Sequence, residues 1–271
     1  MNNLQSIEIP AVSIITVGMN HLSYLKGLLL SLFKDNSLAI PFEMIYIDNC
    51  SSDGTIEYIR ANYPMVRIYE NTTIKGFGEN NNYGVSHAKG KYIAIINPDI
   101  VILKDSIESL FNYMNLYPET GILVPKLLNP DMSIQYSVRS FISIKILFSR
   151  ILSKGNDSCK NKYIDKYLQK DLDITKIQDV DWAIGAAMFM SRDFFNQLKG
   201  FDERYFLYME DEDLCLSSWL KNMPVIYVPA SQMIHNHLRA SSKINKKTLI
   251  HIQSMCKFFL KNGLNPRRNK Y

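Results

Sequence analysis

The chain has 271 residues, of which 46% are hydrophobic and 21% are charged. This length and composition allow a substantial buried core and exclude an intrinsically disordered chain. The formal net charge of +5 is too small for a dedicated nucleic-acid-binding protein, so no nucleic acid is expected as a partner. No segment reaches the roughly 18 consecutive apolar residues of a membrane-spanning helix, and the cysteines lack metal-ligand spacing. We therefore expect a cytoplasmic protein with free thiols.

The first hundred residues alternate short apolar runs with helical patterns. The runs are residues 12–17, 44–47, 66–69 and 92–96. They are β-branched and continuous rather than alternating, which predicts strands buried on both faces of a parallel sheet. Helices are predicted between them, over residues 24–33, from Thr55 onward and over residues 80–88. This order predicts an α/β fold with a Rossmann-like, mostly parallel central sheet flanked by helices, whose ligands bind beyond the carboxyl ends of the strands.

The second part of the chain is less regular. Asp105 and Glu108 form a capping-box pattern that predicts a helix. Residues 143–179 are rich in lysine and lack clear periodicity outside the amphipathic segment 144–152, so we interpret them as an insertion or mobile flap. A further helix is predicted over residues 191–198.

The C-terminal segment 244–261 mixes apolar residues and lysines at roughly helical spacing. This pattern is typical of an amphipathic helix lying on an anionic membrane, and equally of a helix that packs on the domain. The sequence leaves both alternatives open.

Polar residues follow the second and third apolar runs, where ligands bind in such a sheet. Asp48 can accept hydrogen bonds from a base or a ribose hydroxyl, with a turn carboxylate as the alternative. Asn71 and the Gly- and Asn-rich segment 76–84 offer close backbone approach, donors and acceptors to a nucleoside or sugar. An ordinary turn is the alternative for this segment as well.

The turn Asn97-Pro98-Asp99 ends the fourth apolar run. Its carboxylate can hold a hard divalent cation together with the oxygens of a diphosphate ligand. His235, or His237, can add an imidazole ligand, which would favour Mn²⁺ over Mg²⁺. A plain turn and a structural histidine are the alternatives.

Four consecutive carboxylates, at residues 210–213, lie between aromatic and apolar sequence. Like charges beside apolar residues raise one another's pKa values, which is typical of a general base. Glu210 and Asp211, nearest the aromatic residues, are the candidate bases. The alternative is a negatively charged first helical turn that favours the helix dipole.

Taken together and in order, these motifs resemble glycosyltransferase family 2, in particular its bacterial rhamnosyltransferase-like members. The resemblance spans residues 11–242. Its motifs are VSIITV at 12–17, IDNCSSDGT at 47–55, Asn71 with GFGENNNYG at 76–84, NPD at 97–99, GAAM at 185–188, GFDE at 200–203 and EDEDLC at 210–215.

The resemblance implies a GT-A fold with a nucleotide-sugar-binding half over residues 1–100. It implies an acceptor-binding and catalytic half over residues 101–242, which contains the insertion, and a basic C-terminal helix or tail over residues 243–271. It further implies an inverting transfer from a nucleoside diphosphate sugar, with a divalent cation, Mn²⁺ or Mg²⁺, on the diphosphate.

Residue by residue, the resemblance assigns candidate roles. The candidate nucleotide-binding residues are Thr16, Asp48, Asn71, Gly76, Asn81 and Asn97; the metal-binding residues are Asp99 and His235; the catalytic residues are Asp211, with Glu210 as the other candidate; and the acceptor-binding residues are Trp182, Gly185 and Ala186. Asn97 stands where many members carry Asp, which removes a charge and should weaken metal binding. Trp182 is equally well explained as a core residue.

The implied function is hexosyl transfer, with dTDP-rhamnose as a candidate donor, to a glycan or lipid-linked acceptor in bacterial surface polysaccharide synthesis. The implied location is the cytoplasm, with peripheral contact between the C-terminal tail and the inner face of the cell membrane. One alternative is a nucleotidyltransferase, for which residues 18–21 make a poor phosphate loop. The other is a non-catalytic nucleotide-sugar-binding or membrane-associated module, which would not need the intact acidic run.

Overall fold

The computed structural model describes residues 9–35, 38–153, 155–156, 159–236 and 246–268. Its strands are β1 (Val12–Gly18), β2 (Phe42–Asp48), β3 (Arg67–Glu70), β4 (Tyr92–Ile96), β5 (Ile100–Ile102), β6 (Ile122–Leu128), β7 (Val138–Arg139), β8 (Gln178–Asp179), β9 (Trp182–Ala183), β10 (Ala187–Ser191) and β11 (Val225–His235). Its helices are α1 (Leu22–Leu30), α2 (Thr55–Asn62), α3 (Phe77–Ser86), α4 (Ser106–Leu116), α5 (Ile144–Leu152), α6 (Lys162–Tyr167), α7 (Arg192–Gln197), α8 (Glu210–Leu220) and α9 (Lys246–Asn262), and a π-helical turn, Ser31–Asp35, continues α1. The predicted N-terminal strands and helices are confirmed, with bounds shifted by a few residues.

One continuous sheet runs through both halves of the chain, in the order β3-β2-β1-β4-β10-β6-β11-β5, with β8 beside β11. Strands β1 to β4 are parallel to one another, as their continuous apolar sequences predict. Strand β10 pairs antiparallel with both β4 and β6, and β11 runs parallel to β6. The predicted mostly parallel sheet is confirmed, and β10 is the antiparallel strand that joins its two parts. Strands β7 and β9 form a separate ribbon.

Helices cover both faces of the sheet. On one face, α1, α2 and α4 bury Leu25, Ile59 and Leu110 in a shared apolar core. On the other face, the remaining helices share a second core, to which α5 contributes Ile146 and α9 contributes Phe258. A fully buried large apolar side chain stabilises a protein by roughly 1.5–3 kcal/mol. The two cores therefore fix the sheet, and with it the relative positions of the strand ends.

The segment 143–179, which we expected to be an insertion or mobile flap, packs on the rest of the domain. It contains α5, α6 and β8, and Ile164 and Leu168 within it are 0% and 1% exposed. Both belong to the second core. Helix α6 has six residues, too few to show a helical period in the sequence.

The predicted helix after Asp105 is present as α4, but the predicted capping box is wrong. Asp105 has a left-handed backbone, with φ of 59°, and its side chain makes no capping hydrogen bond. Glu108 instead accepts a hydrogen bond from the backbone N–H of Ala39 at 3.1 Å. The carboxylate that was expected to cap its own helix therefore ties α4 to the segment before β2.

Helix α9 packs on the domain. Its Phe258 is fully buried, and its Ser254 hydroxyl donates to the carbonyl of Leu207 at 2.8 Å. Lys261 Nζ lies 2.7 Å from Asp213 Oδ2 of α8. Within the described ranges of the chain, no helix has the length and apolar character to cross a bilayer.

Candidate active site

Most of the predicted site residues lie at one edge of the sheet. Asp48 ends β2, in register with Gly18 at the end of β1. Asn97 directly follows β4, and Asp99 directly precedes β5, whose first residue pairs with His235 at the end of β11. Strands β4, β6 and β11 point the same way, because β10 is antiparallel to β4 and β6 and β11 is parallel to β6. The structure therefore places these side chains on the carboxyl edge, where α/β sheets bind ligands.

The acidic run forms the first turn of α8 at the same edge. Two consecutive residues with left-handed backbone, Tyr208 (φ 70°) and Met209 (φ 72°), lead into this turn. Such conformations cost of order 1–3 kcal/mol each for non-glycine residues and cluster at functional sites. The tight lead-in turns Glu210 and Asp211 into the protein, and Glu210 is 5% exposed.

Asp211 is held by backbone donors on both carboxylate oxygens. The N–H of Gly185 donates to Oδ2 at 2.9 Å, and the N–H of Glu212 donates to Oδ1 at 2.9 Å. Gly185 precedes β10, and the next residue, Ala186, accepts a hydrogen bond from the N–H of Asn97 at 2.9 Å. A short chain of contacts thus joins Asp211 to the turn that follows β4.

Burial raises the pKa values of both Glu210 and Asp211, and the charge of Asp211 raises the pKa of Glu210 further, well above its ordinary range. The N–H groups of Gly185 and Glu212 and the guanidinium of Arg139 counteract the effect of burial on Asp211. Glu210 has less support: only a hydrogen bond from its own backbone N–H counteracts burial, and its Oε2 is buried without a hydrogen-bond partner among the described residues. Asp211 is therefore the more acidic carboxyl of the pair, and the better candidate for a base that must be ionised.

Replacing Glu210 by Gln preserves the shape of a neutral carboxyl, so activity should stay within about tenfold of the wild type. A raised pKa means that the folded state holds a proton that the unfolded chain releases above a pH of about 4.3. The wild type should therefore lose stability as pH rises from that value through the raised pKa, and Glu210→Gln should lose less. Thermal unfolding measured at a series of pH values tests the second expectation. An activity loss as large as that of Asp211→Asn would make Glu210 the better candidate base.

The other two acids of the run have structural partners. Glu212 accepts a hydrogen bond from the N–H of Ile142 at 2.6 Å and is 1% exposed. Asp213 accepts from Asn262 at 2.9 Å and pairs with Lys261 of α9. These contacts fix α8 to its neighbours.

The predicted acceptor residues lie close to Asp211, with different surroundings. A Cβ built on Gly185 would lie 3.1 Å from the Cβ of Asp211 and 3.7 Å from the ring of Phe77. The small residue at this position therefore makes room for Asp211 itself. Trp182 is 5% exposed, lies in the second core and donates from Nε1 to the carbonyl of Ser140 at 2.9 Å. These contacts favour the core interpretation of Trp182, and its contact with an acceptor stays a prediction.

The nucleotide-binding candidates after β2 and β3 are linked by an amide network. Asn71 Nδ2 donates to the side-chain oxygens of Asn49 at 3.1 Å and Asn80 at 2.5 Å. Asn49 also exchanges two hydrogen bonds with the backbone of Lys75. Asn80 lies in the candidate segment 76–84, whereas Asn49 was not among the sequence candidates, although it directly follows Asp48. The network positions the loops that follow the two strands.

Two further nucleotide-binding candidates are engaged by the protein itself. A Cβ on Gly76 would lie 3.0 Å from the carbonyl oxygen of Phe206, so this glycine permits the close approach of two backbones. Asn81 is 1% exposed and donates to the carbonyl of Phe77 at 2.9 Å. Their contacts with a nucleoside stay predictions.

The base-contact candidates Thr16 and Asp48 lie beside Tyr46. Thr16 is fully buried and is in register with Tyr46, whose hydroxyl fills the space that a side chain at Gly18 would need. Asp48 Oδ2 accepts from the N–H of Ser51 at 2.8 Å. In the described part of the chain, Asp48 Oδ1 and the hydroxyls of Thr16 and Tyr46 are buried without hydrogen-bond partners. Such groups are costly unless satisfied, which suits a polar pocket better than a plain core.

The metal candidates Asp99 and His235 face each other, with Oδ2 and Nε2 3.4 Å apart. His235 Nδ1 lies 2.7 Å from Gln135 Oε1. Since an amide oxygen can only accept, Nδ1 is the nitrogen that donates to Gln135, which leaves Nε2 facing Asp99 and able to bind a cation through its lone pair. Asp99 Oδ2 and His235 Nε2, 3.4 Å apart, could bind the same cation. Asp99 Oδ1 is also buried and has no hydrogen-bond partner among the described residues. His237 lies outside the described residues.

The described residues include no group of three or more His, Cys, Asp or Glu that could hold a metal ion. A cation at Asp99 and His235 would thus take its other ligands from a bound diphosphate or water, as Mg²⁺ commonly does. The donor set fits such an ion. Gln135, which orients His235, carried no signal in the sequence.

The sheet, with polar side chains collected on its carboxyl edge, has the GT-A fold. The mannosyltransferase PcManGT from Pyrobaculum calidifontis, solved with GDP-Man and Mn²⁺, matches this fold with a TM-score of 0.60. The two are 16% identical, over 96% of this chain and 66% of that chain, so the likeness shows the fold alone.

Residues 13–198 match the family model of glycosyl transferase family 2, and the chain belongs to this family. It is 30% identical to the rhamnosyltransferase WbbL of Escherichia coli (strain K12), over 95% of this chain and 96% of WbbL. It is 28% identical to the N-acetylglucosaminyl-diphospho-decaprenol L-rhamnosyltransferase of Mycobacterium tuberculosis (strain CDC 1551 / Oshkosh), over 75% of this chain and 69% of that protein. The chain is therefore a glycosyltransferase that is similar to rhamnosyltransferases.

Proposed function

We propose that the protein is an inverting transferase that moves a sugar from a nucleoside diphosphate sugar to a hydroxyl of a saccharide or lipid-linked acceptor in bacterial surface polysaccharide synthesis. The observation that carries this proposal is the Asp211 carboxylate, which accepts from the N–H of Gly185, while the next residue, Ala186, accepts from the N–H of Asn97. A candidate base thus lies near the candidate diphosphate site. The names of the two relatives support rhamnose as the sugar, and we propose dTDP-rhamnose as the donor.

In the proposed reaction, Asp211 accepts the proton of the acceptor hydroxyl. The hydroxyl oxygen forms a bond to the anomeric carbon as the bond from that carbon to the diphosphate breaks on the opposite side. The configuration at the anomeric carbon is inverted in this single displacement, and no covalent intermediate with the protein is needed. Gly185 and Glu212 orient the base, since their N–H groups occupy defined positions on its two oxygens.

The donor would lie along the carboxyl edge, with its base near Asp48 and its diphosphate near Asn97 and Asp99. The unsatisfied Asp48 Oδ1 supports the first assignment, because a base N–H can supply the missing donor. Asp99 and His235 would hold a divalent cation, which would supply positive charge for the developing negative charge on the leaving diphosphate. The amide of Asn97 would add a neutral oxygen ligand at most.

We further propose that the protein works in the cytoplasm, at the inner face of the cell membrane, with its basic C-terminal tail against anionic lipid. Lysines and arginines in the tail support this location, since each basic residue near such a surface contributes roughly 1 kcal/mol. A lipid-linked acceptor would require the contact.

Ligand-induced stabilisation tests the donor proposal. At about 100 times its Kd, the true donor should stabilise the folded protein by about 2.7 kcal/mol. Thermal unfolding should be measured with dTDP-rhamnose, UDP-GlcNAc and GDP-mannose, each with and without Mn²⁺. The expected result is the largest shift with dTDP-rhamnose and Mn²⁺. If no nucleotide sugar shifts the transition, the transferase proposal fails; if a different one does, only the sugar is wrong.

A further inference from the structure

Helix α9 has one face on the protein and an apolar stripe on the other. Ser254 and Phe258 face inward, at 2% and 0% exposure. The opposite stripe is formed by exposed residues at intervals of three and four, which places them on one side of a helix. These residues are Leu249, Ile252, Cys256 and Leu260. Leu249, Ile252 and Leu260 are 59%, 49% and 88% exposed. The solvent-facing side of a helix that packs on a globular protein is usually polar, so this stripe is unusual.

Helix α5 has the same construction. Ile146 and Ser149 are buried against the protein. Phe148, Ile151 and Leu152 lie on the outer side, 61%, 61% and 83% exposed. Within the described residues, no other segment buries these three apolar side chains of the nine-residue helix. Clustered exposed apolar residues of this kind are typical of an interaction surface.

The two helices lie on the same face of the sheet, where both contribute to the second core. The N–H of Ile144, at the start of α5, donates to the carbonyl of Leu264, just beyond the end of α9, at 3.1 Å. Both helices bury their inner side chains in the second core, so their outer sides both point away from the sheet. We call this surface the α5–α9 face; it consists of Phe148, Ile151, Leu152, Leu249, Ile252, Leu260 and Leu264.

The charged residues within α5 and α9 themselves are all basic. No Asp or Glu occurs between Asp131 and Asp157, or anywhere after Asp213. Basic residues after Asp213 are found at positions 221, 239, 243, 246, 247, 257, 261, 267, 268 and 270. On the two helices, Lys145 and Lys247 are exposed. Asp202 and Asp213, near the end of α9, are paired with Lys261. The exposed charges on the two helices, at Lys145 and Lys247, are complementary to a surface of anionic headgroups.

We infer that the α5–α9 face is the docking surface for an anionic phospholipid bilayer, with Phe148, Ile151 and Leu152 of α5 entering the boundary between headgroups and acyl chains. Amphipathic helices with basic flanks bind bilayers in this way. The inference goes beyond the proposed tail contact, because it makes α5 of the second half the inserting element and α9 its neighbour.

Hydrogen bonds connect the helix that carries the candidate base to both docking helices. Glu212 of α8 accepts its hydrogen bond from Ile142, two residues before α5. The segment that leads into α8 is held by α9, through Ser254 on Leu207 and Lys257 on Arg204. The first turn of α8 is therefore fastened to both docking helices. This step rests on the proposed function: we expect a lipid-linked acceptor in the docked bilayer to present its hydroxyl to Asp211.

Vesicle co-sedimentation of the full chain tests the inference. Wild type should bind phosphatidylcholine vesicles that contain about one-third phosphatidylglycerol, and should bind pure phosphatidylcholine much more weakly. The double variant Phe148→Ser/Ile151→Ser should bind the anionic vesicles roughly tenfold more weakly, since two inserted side chains are lost. Leu116→Ser is the matched control: Leu116 is 74% exposed on α4, which packs on the other face of the sheet, and its loss should leave binding unchanged.

A second double variant, Leu249→Ser/Leu260→Ser in α9, should also bind the anionic vesicles more weakly. It controls for the possibility that the α5 substitutions act only by disturbing α5 itself. All four apolar residues are exposed, so thermal unfolding should remain as in the wild type. The inference is overturned if wild type does not bind anionic vesicles, or if both pairs bind like the control. It is also overturned if the variants change only the oligomeric state in analytical ultracentrifugation, which would make the face a contact between copies. The donor-induced thermal shift of the variants reports separately on the transferase proposal.

Discussion

Replacing Asp211 by Asn is expected to lower the rate of sugar transfer by roughly 10³-fold, the contribution typical of a positioned general base. Asn keeps an oxygen that can accept the N–H of Gly185, but it cannot take the proton of the acceptor hydroxyl. The change should therefore lower kcat while the donor-induced thermal shift persists. Rate measurements with donor and acceptor, alongside thermal unfolding with donor alone, separate the two effects.

The pH dependence gives an independent check on Asp211. Burial raises its pKa above the ordinary value, and a base works only when it is deprotonated. Wild-type activity should fall as pH decreases through that raised pKa, and the residual activity of Asp211→Asn should lack this acidic limb. Near-normal turnover of Asp211→Asn, or an acidic limb that survives the change, would remove Asp211 from the role of base.

The carboxyl edge of the sheet could be predicted from sequence because continuous apolar segments identify its buried parallel strands. Val12–Gly18 and Tyr92–Ile96 are continuous apolar segments, so their parallel pairing and the edge position of Asp48 and Asn97 follow from general rules. Strand β6 gives no such signal. It contains Pro125, which argues against an interior strand, and yet it lies between β10 and β11. The register of β11 shifts just after the residue that pairs with Pro125, so a bulge accommodates the proline.

The different roles of the four consecutive acids could not be read from their order. Each role depends on a partner far away in sequence: Asp211 on Gly185, 26 residues away, and Glu212 on Ile142, 70 residues away. Asp213 depends on Lys261, 48 residues away. The sequence shows four like charges beside apolar residues, and only tertiary contacts separate a candidate base from acids that hold helices together. Burial does not separate them either, since Glu210, Glu212 and Asp213 are 5%, 1% and 3% exposed.

Asp99→Asn is the second change from which a large loss is expected, about 10²-fold in transfer rate. Asp99 is the only carboxylate of the turn 97–99, since Asn97 stands at its first position. Removing this charge should leave His235 as the remaining strong ligand, so a divalent ion would bind weakly. The Mn²⁺-dependent part of the donor-induced thermal shift should disappear, while the metal-independent part, supplied by Asp48 and its neighbours, should remain.

Asp105→Asn is the matched control for this charge change. Asp105 follows β5 at the end remote from Asp99, and its left-handed backbone, with φ of 59°, accommodates Asn well. The control should keep both its activity and its Mn²⁺ response. If wild type transfers sugar equally well in excess chelator, and Asp99→Asn does too, the pairing of Asp99 with His235 is a structural ion pair at the junction of β5 and β11. In that case the charge on the leaving diphosphate must be met by protein donors at the carboxyl edge, and the Asn97 amide becomes the first of these to test.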